Sequence, residues 1–292
     1  MLFNNLMQFV KETFKYLKKS FFALLVLAAA PAFILGLMFP PFSGVSFIPL
    51  YVQTPAANFV SIFWMIFSKR GISHIYPAIL ALPVFIVFAA FIFSVIEKHF
   101  KTGKLMLHRP FYSVNNSLLT ILKIIPLALA LIAVLLLVQI SLSSLVRLVV
   151  TGVEGFPRVF DCIWIVIIAA LFFFVSIAVT VFMGVWAVII QIFGFSFAEA
   201  FVEAMRTVGK RWLPLILGMA VPIIILITPL VVLNSLPPEW IPEIVKAIVG
   251  MAAHLLVIVY YFAYVMVSTF NLANLERRDT RSIVPRNIRY IR

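Results

Sequence analysis

Long apolar runs separated by short polar segments dominate the chain. A helix that crosses a bilayer needs about 20 mainly apolar residues at a rise of about 1.5 Å per residue. The pattern therefore predicts an all-α integral membrane protein with about six transmembrane helices. The six predicted spans are Phe21–Phe39, Tyr76–Ile96, Leu118–Leu145, Ile163–Phe193, Leu213–Leu233 and Ile248–Phe270.

A second pattern suggests an internal repeat. An amphipathic segment, a basic cluster and a proline-containing apolar run follow one another in residues 4–31, again in shorter form in residues 109–126, and again in residues 196–222. This similarity predicts a single membrane domain, residues 1–292, built from three units of two spans each. The units cover roughly residues 1–104, 105–195 and 196–276, and a basic tail follows at residues 277–292.

The amphipathic segments predict interfacial helices that precede or interrupt the spans. In the first copy Met7, Val10, Phe14, Leu17 and Phe21 share an apolar face, and Gln8, Lys11, Lys15 and Lys18 lie on the polar face. In the third copy Phe197, Phe201, Met205, Val208 and Trp212 form the apolar face, opposite Glu199, Glu203, Arg206 and Lys210. Ser196 and Glu199 have the spacing of a capping box. Such helices lie in the plane of the lipid headgroups.

Composition leads to the same class. Hydrophobic residues make up 64% of the chain and charged residues 11%, and the mean hydropathy is +1.16. A soluble domain has about 45–50% apolar and about 25% charged residues. A water-soluble globule of this size has too little interior for so much apolar surface, so lipid is expected to be the solvent.

The net charge of +13 is distributed along the chain as the positive-inside rule requires. Most basic residues fall on one side if both termini are cytoplasmic. We therefore expect a multi-pass membrane protein with both termini in the cytoplasm; the bacterial inner membrane is what the resemblance described below implies. Nucleic acid is not an expected partner, because the basic residues flank apolar runs and do not form a patch with stacking aromatic residues.

The basic residues beside the spans are the candidate site. They are expected to contact anionic phospholipid headgroups or an acidic partner protein, because cations near an anionic surface are attracted by about 1 kcal/mol each. The alternative is that they only anchor the spans and enforce topology. The candidate residues are Lys18, Lys19, Lys123, Lys210, Arg211, Arg277 and Arg278.

Catalytic chemistry is not predicted. The acidic residues lie at span ends or in loops, whereas proton-coupled transport usually needs an ionisable group deep in the membrane. The four histidines share no metal-ligand spacing, and no nucleophile elbow, phosphate-binding loop or paired-carboxylate motif occurs. The sequence therefore predicts neither an enzyme nor a cofactor.

One stretch resembles a known group. VFMGVWAVIIQIFGFSFAEAFVEAMRTVGKRWLPLI and the N-terminal FVKETFKYLKKSFFALLV are similar to the YciC-like inner-membrane proteins and to the related membrane domain of glycerophosphoryl diester phosphodiesterases. The likeness is one of architecture over most of the chain and implies six spans in an inner membrane. It implies no activity, because the family has no established one and the phosphodiesterase catalytic domain has no counterpart here.

Two functions fit these observations. The first is a non-enzymatic lipid-organising or scaffold subunit of a membrane complex, favoured by the basic amphipathic segments and by the uncharged loop Pro40–Asn58. The second is a transporter or channel for lipid or another hydrophobic solute, favoured by the repeats and the prolines within spans. Retained lipid or a co-purifying protein favours the first, and a cavity between the repeats favours the second.

Overall fold

α-Helices are the regular elements that the computed structural model describes, over residues 2–38, 69–105, 118–122, 125–126, 158–209, 211–235 and 242–273. The all-α class is confirmed for these residues. The long loop Pro40–Asn58 lies outside them. The helices are α1 (Leu2–Met38), α2 (Lys69–Thr102), α3 (Arg158–Phe193), α4 (Phe197–Gly209), α5 (Trp212–Ser235) and α6 (Glu243–Leu272).

The predicted spans coincide with helices wherever the structure describes them. Four lie inside α2, α3, α5 and α6, and the first lies on α1 up to Met38. Of the span predicted at Leu118–Leu145, only residues 118–122 and 125–126 are described, and they are helical. By length and composition, 3 of the described helices can cross a membrane, or up to 4 if the bent pair α4–α5 is one broken span. Six spans and the threefold repeat stay predictions.

Helix α6 is the centre of the described packing. Residues 258–270 are buried except for the partly exposed Tyr261, because α1, α2, α3 and α5 all contact this helix. The stretch is aliphatic and aromatic apart from Met266, Ser268 and Thr269 and carries no charge, which is the pattern of a helix surrounded by other helices. The sequence of α6 therefore suits the central position.

The contacts of α6 give the directions of the other helices. Phe93 packs on Phe262 and Phe100 on Phe270, so α2 runs parallel to α6. The Tyr260 hydroxyl donates to the Gly218 carbonyl and the Tyr264 hydroxyl to the Leu215 carbonyl, so α5 runs antiparallel to it. The N-terminal part of α1 lies beside the C-terminal end of α6, where Asn271 meets Glu12.

Two glycines end α2 and α3. Gly103 and Gly194 have positive φ angles, 72° and 66°, and each donates its N–H to the carbonyl four residues back, at 2.8 and 2.9 Å. A left-handed residue at this position closes a helix and satisfies one of its last carbonyls. α4 therefore begins only a few residues after α3 ends, so both the end of α3 and the start of α4 lie at the same end of the bundle.

The first and third copies of the predicted repeat differ in shape. In the third copy, α4 and the first part of α5 meet at 83°, so the amphipathic segment is a separate helix as predicted. In the first copy α1 is continuous from Leu2 to Met38, which corrects the expectation of a separate interfacial helix there. Gly209 and Pro214 flank the basic pair of the third copy, whereas Leu17 and Phe22 flank Lys18-Lys19. Glycine favours the end of a helix and proline suits the first turn of the next one, which fits a break in the third copy and none at Lys18-Lys19.

Candidate functional site at the basic end of the helices

The directions of the helices bring most of the described basic residues to one end of the bundle. We call this region the basic end. It contains the N-terminal half of α1, the C-terminal ends of α2, α3 and α6, and the bend between α4 and α5. Its described basic residues are Lys11, Lys15, Lys18, Lys19, Lys98, Lys101, Lys104, Arg206 and Arg211.

Two carboxylates at the basic end bind amides from other helices. Asn271 Nδ2 of α6 donates to Glu12 Oε2 of α1 at 2.8 Å. Gln191 Nε2 of α3 donates to Glu97 Oε2 of α2, and the other oxygen of Glu97 pairs with Lys101. Hydrogen bonds to a charged acceptor are stronger than those between neutral groups. These pairs tie α1 to α6 and α2 to α3 close to the helix ends.

Aromatic side chains fill the space between these pairs. The rings of Tyr16 and Phe100 meet edge to face at 4.9 Å, and those of Phe100 and Phe270 at 4.8 Å. His99 Nδ1 lies 3.4 Å from the Tyr16 hydroxyl oxygen, within hydrogen-bonding distance, and His99 is 6% exposed. Edge-to-face pairs of buried rings add about 0.5–1.5 kcal/mol beyond the area they bury. The interior behind the charges is therefore dry and closely packed.

The buried face of α1 differs from the apolar face predicted from the sequence. Met7 and Phe14, which the sequence places on the apolar face of an interfacial helix, are 50% and 48% exposed and do not form the face that packs on the other helices. Thr13 and Ser20 are buried instead, because their hydroxyls donate to carbonyls one turn back, at 2.8 and 3.0 Å, and need no other partner. Periodicity counts such residues as polar and so misplaces the face. The buried residues of this face are Phe9, Thr13, Tyr16, Leu17, Ser20, Leu24 and Ala28.

The outward face of α1 is mixed up to Lys19, with exposed lysines beside Met7 and Phe14, and its exposed residues are all apolar beyond it. Lys15 and Lys18 are exposed, and beyond them Phe22 is 82% exposed and Val26 70% exposed. Large apolar side chains with such exposure are unfavourable in water, and in lipid they cost nothing. The change therefore fits a water–lipid boundary just after the lysines.

The start of α4 has the predicted capping box. Ser196 Oγ and the Ser196 N–H both donate to Glu199 Oε2, at 2.7 and 3.0 Å, and the Glu199 N–H donates to Ser196 Oγ at 3.4 Å. The hydrogen bonds from Ser196 lower the pKa of the Glu199 carboxyl below its usual value. The negative charge is also favourable near the positive N-terminal end of the helix.

Helix α4 is held against α3 by one tryptophan. Trp186 is buried, and its Nε1 donates to the Phe197 carbonyl at 3.1 Å. Its ring lies 4.4 Å from that of Phe197 and 5.0 Å from that of Phe201. The fully buried Ala200 and Ala204 let the helix approach closely. The residues predicted as the apolar face of α4 therefore pack partly on protein.

The structure describes some of the predicted site residues. Lys18, Lys19 and Arg211 are exposed at the basic end. The other candidates, Lys123, Lys210, Arg277 and Arg278, lie outside the described residues. In the part of the chain that is described, no group of three or more His, Cys, Asp or Glu side chains could hold a metal ion.

The sequence did not identify the interhelical pairs of the basic end. Glu97 directly follows the predicted span Tyr76–Ile96, and Gln191 lies near the end of Ile163–Phe193, but the sequence pattern does not show that the two side chains meet. A useful signal was available, because acidic and amide residues at the ends of spans on the same side are candidates for interhelical hydrogen bonds.

Comparison with known proteins adds no relative, since no family model, no curated protein and no solved structure matches the chain.

Proposed function

We propose that this protein is a non-enzymatic subunit of the bacterial inner membrane that organises anionic phospholipid, or scaffolds a partner protein, at its basic end. One observation supports this most directly. The outward face of α1 presents exposed lysines directly next to exposed Phe22 and Val26. A phospholipid has the same arrangement, with an anionic phosphate next to its acyl chains.

The remaining parts of the proposal follow the sequence. They are six spans in three repeats, a cytoplasmic position of the basic end and membership of a group like the YciC-like proteins; the helix directions support an even number of spans. The basic end contains the ends of α2, α3 and α6 and the starts of α1 and α5. Helices that cross a membrane in alternating directions would meet in this way. The positive-inside rule then puts this end in the cytoplasm, where the leaflet is rich in anionic lipid.

Lipid retention tests the proposal. The Lys15→Gln/Lys18→Gln double variant is purified in mild detergent with a mixture of phosphatidylglycerol and phosphatidylcholine, and bound lipid is measured by native mass spectrometry. At about 1 kcal/mol per cation near an anionic surface, losing two lysines reduces the preference for phosphatidylglycerol by about thirtyfold.

The matched control removes two charges at the opposite end of α2. Lys69→Gln/Arg70→Gln lowers the net charge equally but lies a whole helix away from the basic end. It is expected to leave the preference unchanged. Equal loss in both double variants would show a general effect of net charge and contradict the proposal. A protein that co-purifies with the original chain but not with the Lys15/Lys18 variant would support the scaffold form.

A transporter or channel for lipid or another hydrophobic solute is the second candidate. The 83° bend between α4 and α5 favours it, because transporters often build binding sites at broken helices. Reconstituted vesicles with a fluorescent phospholipid distinguish the two functions. Transfer between leaflets that depends on the protein supports transport, and retention of lipid without transfer supports the organising function.

A further inference from the structure

We infer that α4 is a surface helix that binds one anionic phospholipid along its outer side, with acyl chains against Val202 and Met205 and the phosphate between Arg206 and Arg211. The inference rests on the proposed function and names the partner of one part of the basic end. The contact surface shares Met205 and Trp212 with the apolar face that the sequence predicts and adds Val202, whereas Phe197 and Phe201 of that face pack in part on Trp186.

Three sides of α4 have different surroundings. The inner side, with Ala200 and Ala204, packs on the protein. A polar side carries Glu199 and Glu203. The third side faces away from the inner side, because residues in an α-helix follow at about 100° intervals. There Val202 is 66% exposed and Met205 is 54% exposed.

The exposed apolar side continues past the bend. Trp212, the first residue of α5, is 54% exposed. Tryptophan favours the boundary between headgroups and acyl chains. The 83° angle lets α4 lie along the membrane plane while α5 enters the bilayer. Val202, Met205 and Trp212 then lie at a similar depth below the headgroups.

The charges beside this surface match a phosphate. The Arg206 side chain is 82% exposed, and its ion pair with Glu203 is long, at 4.0 Å. Arg211 is also exposed, at the far side of the bend. A guanidinium can bind phosphate oxygens through two parallel hydrogen bonds. A second protein is a poorer fit, because a stable interface needs about 800 Å² per partner and this side offers only a few large apolar residues.

Depth measurements in vesicles test the position of α4. A fluorophore is attached to single cysteines at residues 199, 202, 203 and 205 in a Cys162→Ala background, and the full chain is placed in vesicles of phosphatidylcholine with phosphatidylglycerol. Labels at 202 and 205 are expected to be quenched by brominated acyl chains. Labels at 199 and 203 are expected to be quenched by aqueous iodide. Iodide quenching of all four positions, or protection of 202 and 205 from both quenchers, would overturn the inference.

The two arginines test the phosphate contact. Arg206→Gln/Arg211→Gln is expected to reduce retained phosphatidylglycerol about thirtyfold relative to phosphatidylcholine, whereas Glu203→Gln is expected not to reduce it. Unchanged retention in the arginine variant would remove α4 as the binding surface. The proposed function can fail separately. If Lys15→Gln/Lys18→Gln left the preference for phosphatidylglycerol unchanged, the proposed function would be refuted even if the labels at 202 and 205 lie among acyl chains.

Discussion

The hydroxyl of Tyr260 takes the place of a backbone donor that α5 lacks. In an α-helix the carbonyl of residue 218 accepts the N–H of residue 222, but residue 222 is proline and has none. The Tyr260 hydroxyl donates to the Gly218 carbonyl at 2.7 Å, and Tyr260 is 4% exposed. We expect Tyr260→Phe to leave this carbonyl without a partner in a setting that water does not reach.

The free energy lost in each variant depends on whether the carbonyl keeps another hydrogen-bond donor when the tyrosine hydroxyl is removed. A buried group left unsatisfied costs about 1–3 kcal/mol. Tyr264 donates to the Leu215 carbonyl at 2.7 Å and Tyr261 to the Thr180 carbonyl at 3.0 Å. Those two carbonyls also face helical N–H groups four residues on, at Met219 and Gly184. Their loss should cost only about 0.6 kcal/mol, the average for interhelical hydrogen bonds in membranes. Tyr264→Phe and Tyr261→Phe are therefore matched controls.

A double-mutant cycle with Pro222→Ala tests the explanation. Alanine restores the N–H, so Tyr260→Phe in that background should cost no more than the controls. The free energy of unfolding is measured for each variant in detergent by trapping the unfolded state. A coupling energy between Tyr260 and Pro222 of at least about 0.5 kcal/mol is expected, because the effects of mutations at independent sites usually add to within about 0.5 kcal/mol. If Tyr260→Phe costs the same with proline and with alanine at 222, the missing N–H is not what the hydroxyl compensates.

Three further changes give distinct outcomes. Gly218→Ala should lower the melting temperature by the equivalent of about 1–3 kcal/mol, because its Cβ would overlap the Tyr264 hydroxyl, whereas Gly209→Ala, with open space around it, should not lower it. Gly194→Ala should cost about 1 kcal/mol for its positive φ alone, since no atom lies within 4 Å of the new Cβ, and a larger loss would point to lost packing. The lowered pKa of Glu199 means that the cap stabilises α4 fully above pH 4.5 and is lost as the pH falls through the lower pKa of the folded protein. A spin label at residue 205 should therefore become more mobile in acid, and much less so in the Glu199→Gln variant.

The apolar runs were enough to place the helices, since length and hydrophobicity alone decide where a spanning helix can form. The capping box at Ser196 was also predictable, because it depends on residues three positions apart. The face of α1 that packs on the other helices was not predictable from the sequence. Thr13 and Ser20 are buried with their hydroxyls bonded to their own helix, and periodicity cannot distinguish them from residues that face water.

The location of the basic end could be predicted from charge, but the side-chain pairs between its helices could not. Basic residues beside spans identify the basic end, because topology and charge are coupled. The pairs Glu12–Asn271 and Glu97–Gln191 depend on which helices become neighbours, and they join residues far apart in the chain. The sequence predicts Met205 and Trp212 on the exposed apolar side of α4, but how Phe197 and Phe201 pack depends on Trp186 in another helix.

The same sequence scheme gives two different arrangements of basic residues. In α1 the pair Lys18-Lys19 continues directly into the helix that carries the exposed Phe22, so the lysines stand above an apolar face in line with the helix axis. At Arg211 the chain turns by 83° because Gly209 and Pro214 allow the helix to break and Trp186 holds α4 in place. The arginines there lie beside a helix that runs across the axis of α5. A segment that kept one shape in both places would present its basic residues in a single geometry, whereas this chain presents them both along a helix axis and across one at the same end.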